Sequence, residues 1–203
     1  MYRLLTILTI CILGLSGCMQ STVNTDEIQA GYDEFSILAG KELNDVEKIL
    51  GQELKFLEEK YDSQIYSSTE DKEYFFLTEA NALYRIDYKN LDAEAALQLA
   101  KSSSDDLFKK YGDSPIQIKN HILDITSADD MNGKVAPQQY NEAWRVPYNQ
   151  EMTEKLKPYK ITEENKVTLS IDLLTDRFMN QGTYSVSISQ TSLDLDAAAK
   201  NLR

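Results

Sequence analysis

Two stretches towards the C-terminal end constrain the fold most. Val167, Leu169, Ile171 and Leu173 alternate with Lys166, Thr168, Ser170 and Asp172; Tyr184, Val186 and Ile188 alternate with Thr183, Ser185, Ser187 and Ser189. A period of two turns one set of side chains to a buried face and the other to a wet one. Two such runs in succession predict an antiparallel hairpin joined by the loop Thr175–Gly182.

A period near 3.6 dominates elsewhere. Leu43, Val46, Leu50, Leu54, Leu57 and Tyr61 recur at steps of three and four, which predicts an amphipathic helix over Leu43–Tyr61. Gly51 weakens its middle by about 1 kcal/mol relative to Ala, so a break into two helices there is the alternative. Asp92–Tyr111 reads as a second helix, with Asn90 or Asp92 as its cap and the stripe Ala96, Leu97, Ala100, Ser104, Leu107, Phe108, Tyr111. Gly112 then suits a left-handed C-terminal residue, and Pro115 prevents continuation.

Between these helices lie strand-like runs at Gln64–Ser67, Glu73–Thr78 and Ala82–Tyr88, with Glu79-Ala80-Asn81 as a turn. In the third, Ala82, Tyr84, Ile86 and Tyr88 are expected on one face, and Leu83, Arg85 and Asp87 on the other. Ile116–Ile125 reads as extended, Thr126–Gln139 as a loop and Gln150–Leu156 as a short helix. Ala143–Tyr148 reads as an edge strand because of Pro147, and Asp194–Leu202 as a terminal helix. The class is α+β: antiparallel sheet or sheets with two main amphipathic helices in one domain, 31–203. Leu57–Ile65 resembles Phe108–Ile116 in sequence, which suggests two α-β-β-β units in halves of about 31–90 and 91–203.

Composition narrows the chemistry. The chain has 21 Lys and Arg against 33 Asp and Glu, a formal net charge of −12. That balance argues against nucleic acid and anionic lipid headgroups, suits a basic protein partner, and also serves solubility. HExxH, GxSxG and a Gly-rich phosphate loop are absent, and His121 is the one histidine. Asp129-Asp130-Met131-Asn132-Gly133 is similar to a calcium loop. Aligned on Gly133, however, its first and twelfth ligands become Ala128 and Gln139, where carboxylates are required. No metal or cofactor is assigned. The pairs Glu58-Glu59, Asp105-Asp106 and Glu163-Glu164 read as solvated faces. Tyr74, Tyr84, Tyr88, Tyr140, Tyr148 and Tyr184 lie on or near strands, where tyrosine serves packing or recognition.

The N-terminus completes the picture. Met1-Tyr2-Arg3 precedes the apolar run Leu4–Leu15, too short to span a bilayer core, which takes about 20 residues. Leu15-Ser16-Gly17-Cys18 follows and resembles the lipobox of bacterial lipoproteins at all four positions. The resemblance implies removal of residues 1–17 by cleavage between Gly17 and Cys18, and acylation of Cys18 by enough chains for stable anchoring. Cys11 is then lost and Cys18 consumed, so no thiol remains for catalysis, disulfides or metal. The single basic residue of the leader departs mildly from the usual pattern. Met19, where an Asp favours inner-membrane retention, implies the outer membrane facing the periplasm if the host has two membranes, and otherwise the outer face of the cell membrane. Residues 18–30 are then a polar tether, extending about 40 Å at roughly 3.3–3.6 Å per residue.

The expected role is therefore a non-enzymatic, lipid-anchored envelope protein that binds a protein or peptide, of inhibitor, immunity or envelope-assembly type. Its partner is expected to be basic, and its surface to include Trp144 and Tyr148. A carboxylate-based hydrolase of wall polymers, with two carboxylates about 5–10 Å apart, and a solute-binding lipoprotein are the alternatives.

Overall fold

The computed structural model describes residues 28–112, 120–131, 139–147, 150–156, 166–176 and 183–191. The expected signal segment, most of the tether and the helix at Asp194–Leu202 lie outside them. The elements in order are α1 (Tyr32–Leu38), α2 (Leu43–Leu50), β1 (Lys55–Lys60), β2 (Ser63–Thr69), β3 (Lys72–Leu77), β4 (Ala82–Leu91), α3 (Ala93–Tyr111), α4 (Ala128–Met131), β5 (Gln139–Pro147), α5 (Gln150–Leu156), β6 (Lys166–Asp176) and β7 (Thr183–Thr191). All seven strands form one antiparallel sheet in the order β1-β2-β3-β4-β7-β6-β5. The α+β class is as the sequence predicts.

Register shows which face of the sheet the described helices cover. The paired row Tyr66–Tyr74–Ile86–Ile188–Ile171–Glu142 crosses six strands on one face. Tyr88, Val186, Leu173 and Tyr140 form the next row. α1 and α3 pack on this face, and Val46 of α2 and Met152 of α5 join the same buried cluster. The opposite face carries the row Phe75–Arg85–Ser189–Ser170–Ala143 and, among the described residues, no helix. The predicted hairpin is β6–β7, with Leu169, Ile171 and Leu173 buried beside Tyr184, Val186 and Ile188. Asp92 caps α3, its carboxylate accepting from Ala95 N at 2.8 Å.

A buried polar cluster pins α1 to the sheet. Glu34 accepts from Lys72 Nζ (2.8 Å), Tyr74 Oη (2.9 Å) and Tyr88 Oη (3.0 Å), while Tyr88 Oη accepts from Gly31 N (2.8 Å). Burial, and then the Glu34 carboxylate, push both phenols well above their ordinary range, so they remain neutral donors. Gly31 has φ of 100°, and a Cβ there would come within 2.5 Å of Ser103 Oγ. Only glycine fits this entry to α1.

Several expectations are corrected. The helix over Leu43–Tyr61 is α2 alone, followed by strand β1. Gly51 is left-handed (φ 66°) and closes α2, its N–H donating to Glu47 O. Glu47 Oε1 then takes the N–H of Leu54 at 2.7 Å and turns the chain away. The continued 3.6 period was coincidental: Leu54 is buried, but Leu57 and Tyr61 are exposed. For the same reason the first stretch of the suggested repeat does not close a helix as its counterpart does. Leu57–Ile65 is a hairpin, whereas Phe108–Tyr111 ends a helix, so the two stretches are not equivalent. In β4 a bulge at Tyr84 shifts the pairing between Phe75 and Phe76. Leu83, Ile86 and Tyr88 therefore face the core, and Tyr84 shares the helix-free side with Arg85. The stretch read as a loop from Thr126 contains the short α4.

Candidate protein-interaction site

The sheet has two edges, and β1 is the open one. Among the described residues Lys55–Lys60 pairs with β2 alone, and all six of its residues are exposed. Phe56 is 51% exposed and begins an edge-to-face ladder through Tyr66 (5.4 Å, 71°) to buried Phe76 (5.5 Å, 83°). Leu57 is the extra residue of a bulge, since Phe56 pairs with Tyr66 and Glu58 with Ile65. The β1–β2 turn is two residues long, Tyr61-Asp62, with φ of 53° and 46°. Positive φ at both positions suits the twist of a hairpin, but the preferred residues are Asn and Gly. A bulky Tyr there is strained by roughly 1 kcal/mol or more, and Tyr61 is 84% exposed. The fold holds an aromatic ring out into solvent in an unfavourable backbone conformation.

The helix-free face continues the surface. Arg85 makes a bidentate pair with Asp87 (2.7 and 2.6 Å) and lies 4.7 Å over the Phe75 ring. Burial by itself lowers the pKa of this guanidinium, but Asp87 outweighs burial and raises it. Phe75 meets Tyr84 edge-on at 6.4 Å, and Tyr84 Oη bonds Ser63 Oγ at 2.8 Å. With Glu58 and Tyr61 these side chains line an open depression of about 340 Å³. Lys72, Arg85 and Lys89 are neutralised by Glu34, Asp87 and Glu73 respectively. Glu58 and Glu59 form no ion pair among the described residues. Lys55 and Lys60 of the same strand are equally without an ion pair among the described residues, and Lys60 Nζ lies 5.5 Å from the Tyr61 ring centre, so the surface combines aromatic anchors with charges of both signs.

The residues singled out from sequence lie elsewhere. Trp144 is 1% exposed and its indole N–H donates to Gly112 O at 2.9 Å, so it anchors the end of α3 to β5 and is not a partner surface. Its alternation with Val146 put both on the core-facing side of the edge strand. Tyr148, Gly17 and Cys18 lie outside the described residues. His121 Nδ1 is 3.0 and 3.1 Å from the oxygens of buried Glu142. A carboxylate can only accept, so the Nδ1–H donates and the ring is fixed in orientation. No group of three or more His, Cys, Asp or Glu suited to a metal occurs among the described residues. Asp130 of the calcium-like loop accepts at one oxygen from Thr126 N, Thr126 Oγ1 and Ser127 N (2.9, 2.6 and 2.9 Å). These bonds hold its pKa below the ordinary value and occupy that oxygen with the local turn. Sequence reasoning missed Phe56, which lies beside Tyr66 at the β1 edge, and Tyr61, Phe75 and Tyr84, which line the depression on the other side of the sheet. The helical period hid the first two; the aromatic run Tyr74-Phe75-Phe76 was the available signal for the third.

No helix among the described residues is long and apolar enough to cross a membrane. Comparisons with protein-family models, with curated proteins and with solved structures give no match to this chain.

Proposed function

We propose that this chain is a lipid-anchored envelope protein, acylated at Cys18, that binds a basic protein partner through the β1 edge and the adjoining helix-free face. The display of strained Tyr61 at 84% exposure carries the reading. Backbone strain is kept where something uses it, and rigid aromatic residues ringed by charge make effective anchors. The chain's formal net charge of −12 favours a basic partner by steering, since on β1 itself Lys55 and Lys60 balance Glu58 and Glu59. Supporting the anchor are the lipobox and the polar stretch after it, which keep the domain within a tether's length of the bilayer.

Two experiments test this. Affinity capture from detergent-solubilised native envelopes should recover a basic protein with the wild type and lose it with Tyr61→Asn or Phe56→Ser. Equal recovery by these variants, or no partner with any form, would remove the proposal. Separately, Cys18→Ala should abolish acyl labelling and leave an uncut precursor; unchanged labelling would overturn the anchor.

A further inference from the structure

A second concavity lies away from the β1 edge, between α1, the C-terminal end of α3 and the strands β5–β7. Its volume is about 260 Å³, below the range of about 300–1,000 Å³ usual for drug-sized ligands, so its occupant is small. Phe35, Val146 and Leu169 supply apolar walls. Gln190, paired with Leu169 in the β6–β7 ladder, lines it from β7. Gln190 is 4% exposed, and its buried Oε1 has no hydrogen-bond partner among the described residues. Leaving such a group unpaired costs roughly 1–3 kcal/mol; the hydroxyls of Thr78 and Ser104 are buried without a partner as well, but of the three only Gln190 lines this cleft.

Lys110 stands at the mouth. Its Nζ donates to Tyr32 Oη at 3.1 Å and lies 5.5 and 5.2 Å from the ring centres of Tyr32 and Tyr111. It forms no ion pair with a carboxylate among the described residues, in a chain with 33 acidic side chains. Its close polar neighbours are phenols, and burial raises the Tyr32 pKa, so that hydroxyl is neutral at ordinary pH. The cleft therefore presents an uncompensated cation at the mouth, an apolar middle and an unsatisfied amide acceptor.

From this arrangement we infer that the cleft binds a small organic acid: a carboxylate held by Lys110, an apolar body against Phe35 and Leu169, and a hydroxyl or amide donor to Gln190. A cationic ligand is disfavoured by Lys110, and a purely apolar one leaves Gln190 unpaired. This site does not depend on the β1 surface.

Full-length protein in nanodiscs, with empty nanodiscs as control, can be titrated calorimetrically with 4-hydroxyphenylacetate, 6-hydroxyhexanoate and the amine tyramine. At least one acid should bind below about 1 mM and about tenfold more tightly than tyramine. Lys110→Met should erase that preference. Gln190→Met should weaken acid binding about fivefold or more, and its thermal midpoint should equal or exceed that of the wild type, since an unpaired polar group is removed. Failure of both acids to bind at about 10 mM, a preference for tyramine, or unchanged acid affinity in both variants would overturn the inference. A midpoint of Gln190→Met no lower than that of the wild type ensures that its loss of binding is not loss of fold.

Discussion

The two edge strands of this sheet solve the same problem in opposite ways. An edge exposes unpaired N–H and C=O groups and invites another chain. At β5 the edge is covered: Asn141 N donates to Asn120 O (3.0 Å), Asn120 Nδ2 to Gln139 O (3.1 Å), and His121 forms a parallel bridge to Asn141. Tyr140, Glu142, Trp144 and Val146 of β5 are all buried. At β1 no residue is buried, and the protection is a bulge and the charges of Lys55, Glu58, Glu59 and Lys60. Those devices block indiscriminate pairing, yet leave Phe56, Leu57 and Tyr61 outside. Two edges of one sheet, one plugged and one armed with aromatics, mean that exposure at β1 is not a general looseness of the fold.

The difference should be largest in stability. Trp144→Ala should destabilise the protein by about 3–5 kcal/mol, as large-to-small changes in a core do. Phe56→Ala should shift it by less than about 1 kcal/mol. Chemical denaturation of both variants checks this, and a Phe56→Ala loss near that of Trp144→Ala would mean that β1 is part of the core after all.

Between the edges, Tyr74 and Tyr88 tie the sheet to α1, and their ionisation offers a second contrast. Both folded pKa values are raised above the unfolded value of about 10. Their contribution is fully present below pH 10 and is lost as pH rises towards the folded values. Between pH 10 and 11 each should withdraw about 1 kcal/mol, because the unfolded phenol is only half ionised at pH 10 and the full slope of about 1.4 kcal/mol per unit is reached above that, so the two together give roughly 2 kcal/mol over this interval. Tyr74→Phe should flatten the fall in stability measured by urea titration at these pH values; an unchanged slope would show that Tyr74 ionises freely in the folded state.

The plug at β5 can be removed directly. His121→Ala leaves the buried Glu142 carboxylate without its imidazole partner, a loss of about 1–3 kcal/mol. Amide exchange in β5 should quicken while β1, already open, stays as it was. Equal acceleration at both edges would deny that the His121 segment protects β5 specifically.

How much of this contrast the sequence discloses follows from the range of the interactions that cause it. The hairpin β6–β7, α3 with its Asp92 cap and Gly112 end, and α5 were legible because alternation, capping and breaking are local. The edge position of β5 was legible from Pro147. The identity of its covering segment was not, because one parallel bridge between His121 and Asn141 leaves no periodic trace. Trp144 was misplaced for a related reason: an aromatic on an edge strand reads as surface unless the α3 terminus that covers it is known. β1 was misread outright, because three residues after Gly51 happened to extend the 3.6 period. Gly51 itself was the correct signal, and its left-handed φ is what turned it into a stop. The Glu34, Lys72, Tyr74 and Tyr88 cluster joins residues far apart in the chain and had no local signature.

The smallest effect is also the most discriminating, because its two readouts should move in opposite directions. Tyr61 sits at φ 53°, a conformation that Asn tolerates far better than Tyr. Tyr61→Asn should therefore raise stability by about 0.5–1 kcal/mol, visible as a higher denaturation midpoint with an unchanged slope. The same change removes the most exposed aromatic of the β1 edge and should lower partner capture about tenfold or more. A residue that lowers stability and raises binding marks a site kept for use, since stability alone would favour its replacement. If Tyr61→Asn stabilises and capture is untouched, the strained ring is incidental and the β1 edge differs from β5 only in lacking a cover. If it destabilises, Tyr61 packs more than its 84% exposure implies, and the hairpin tip belongs to the fold and not to a partner.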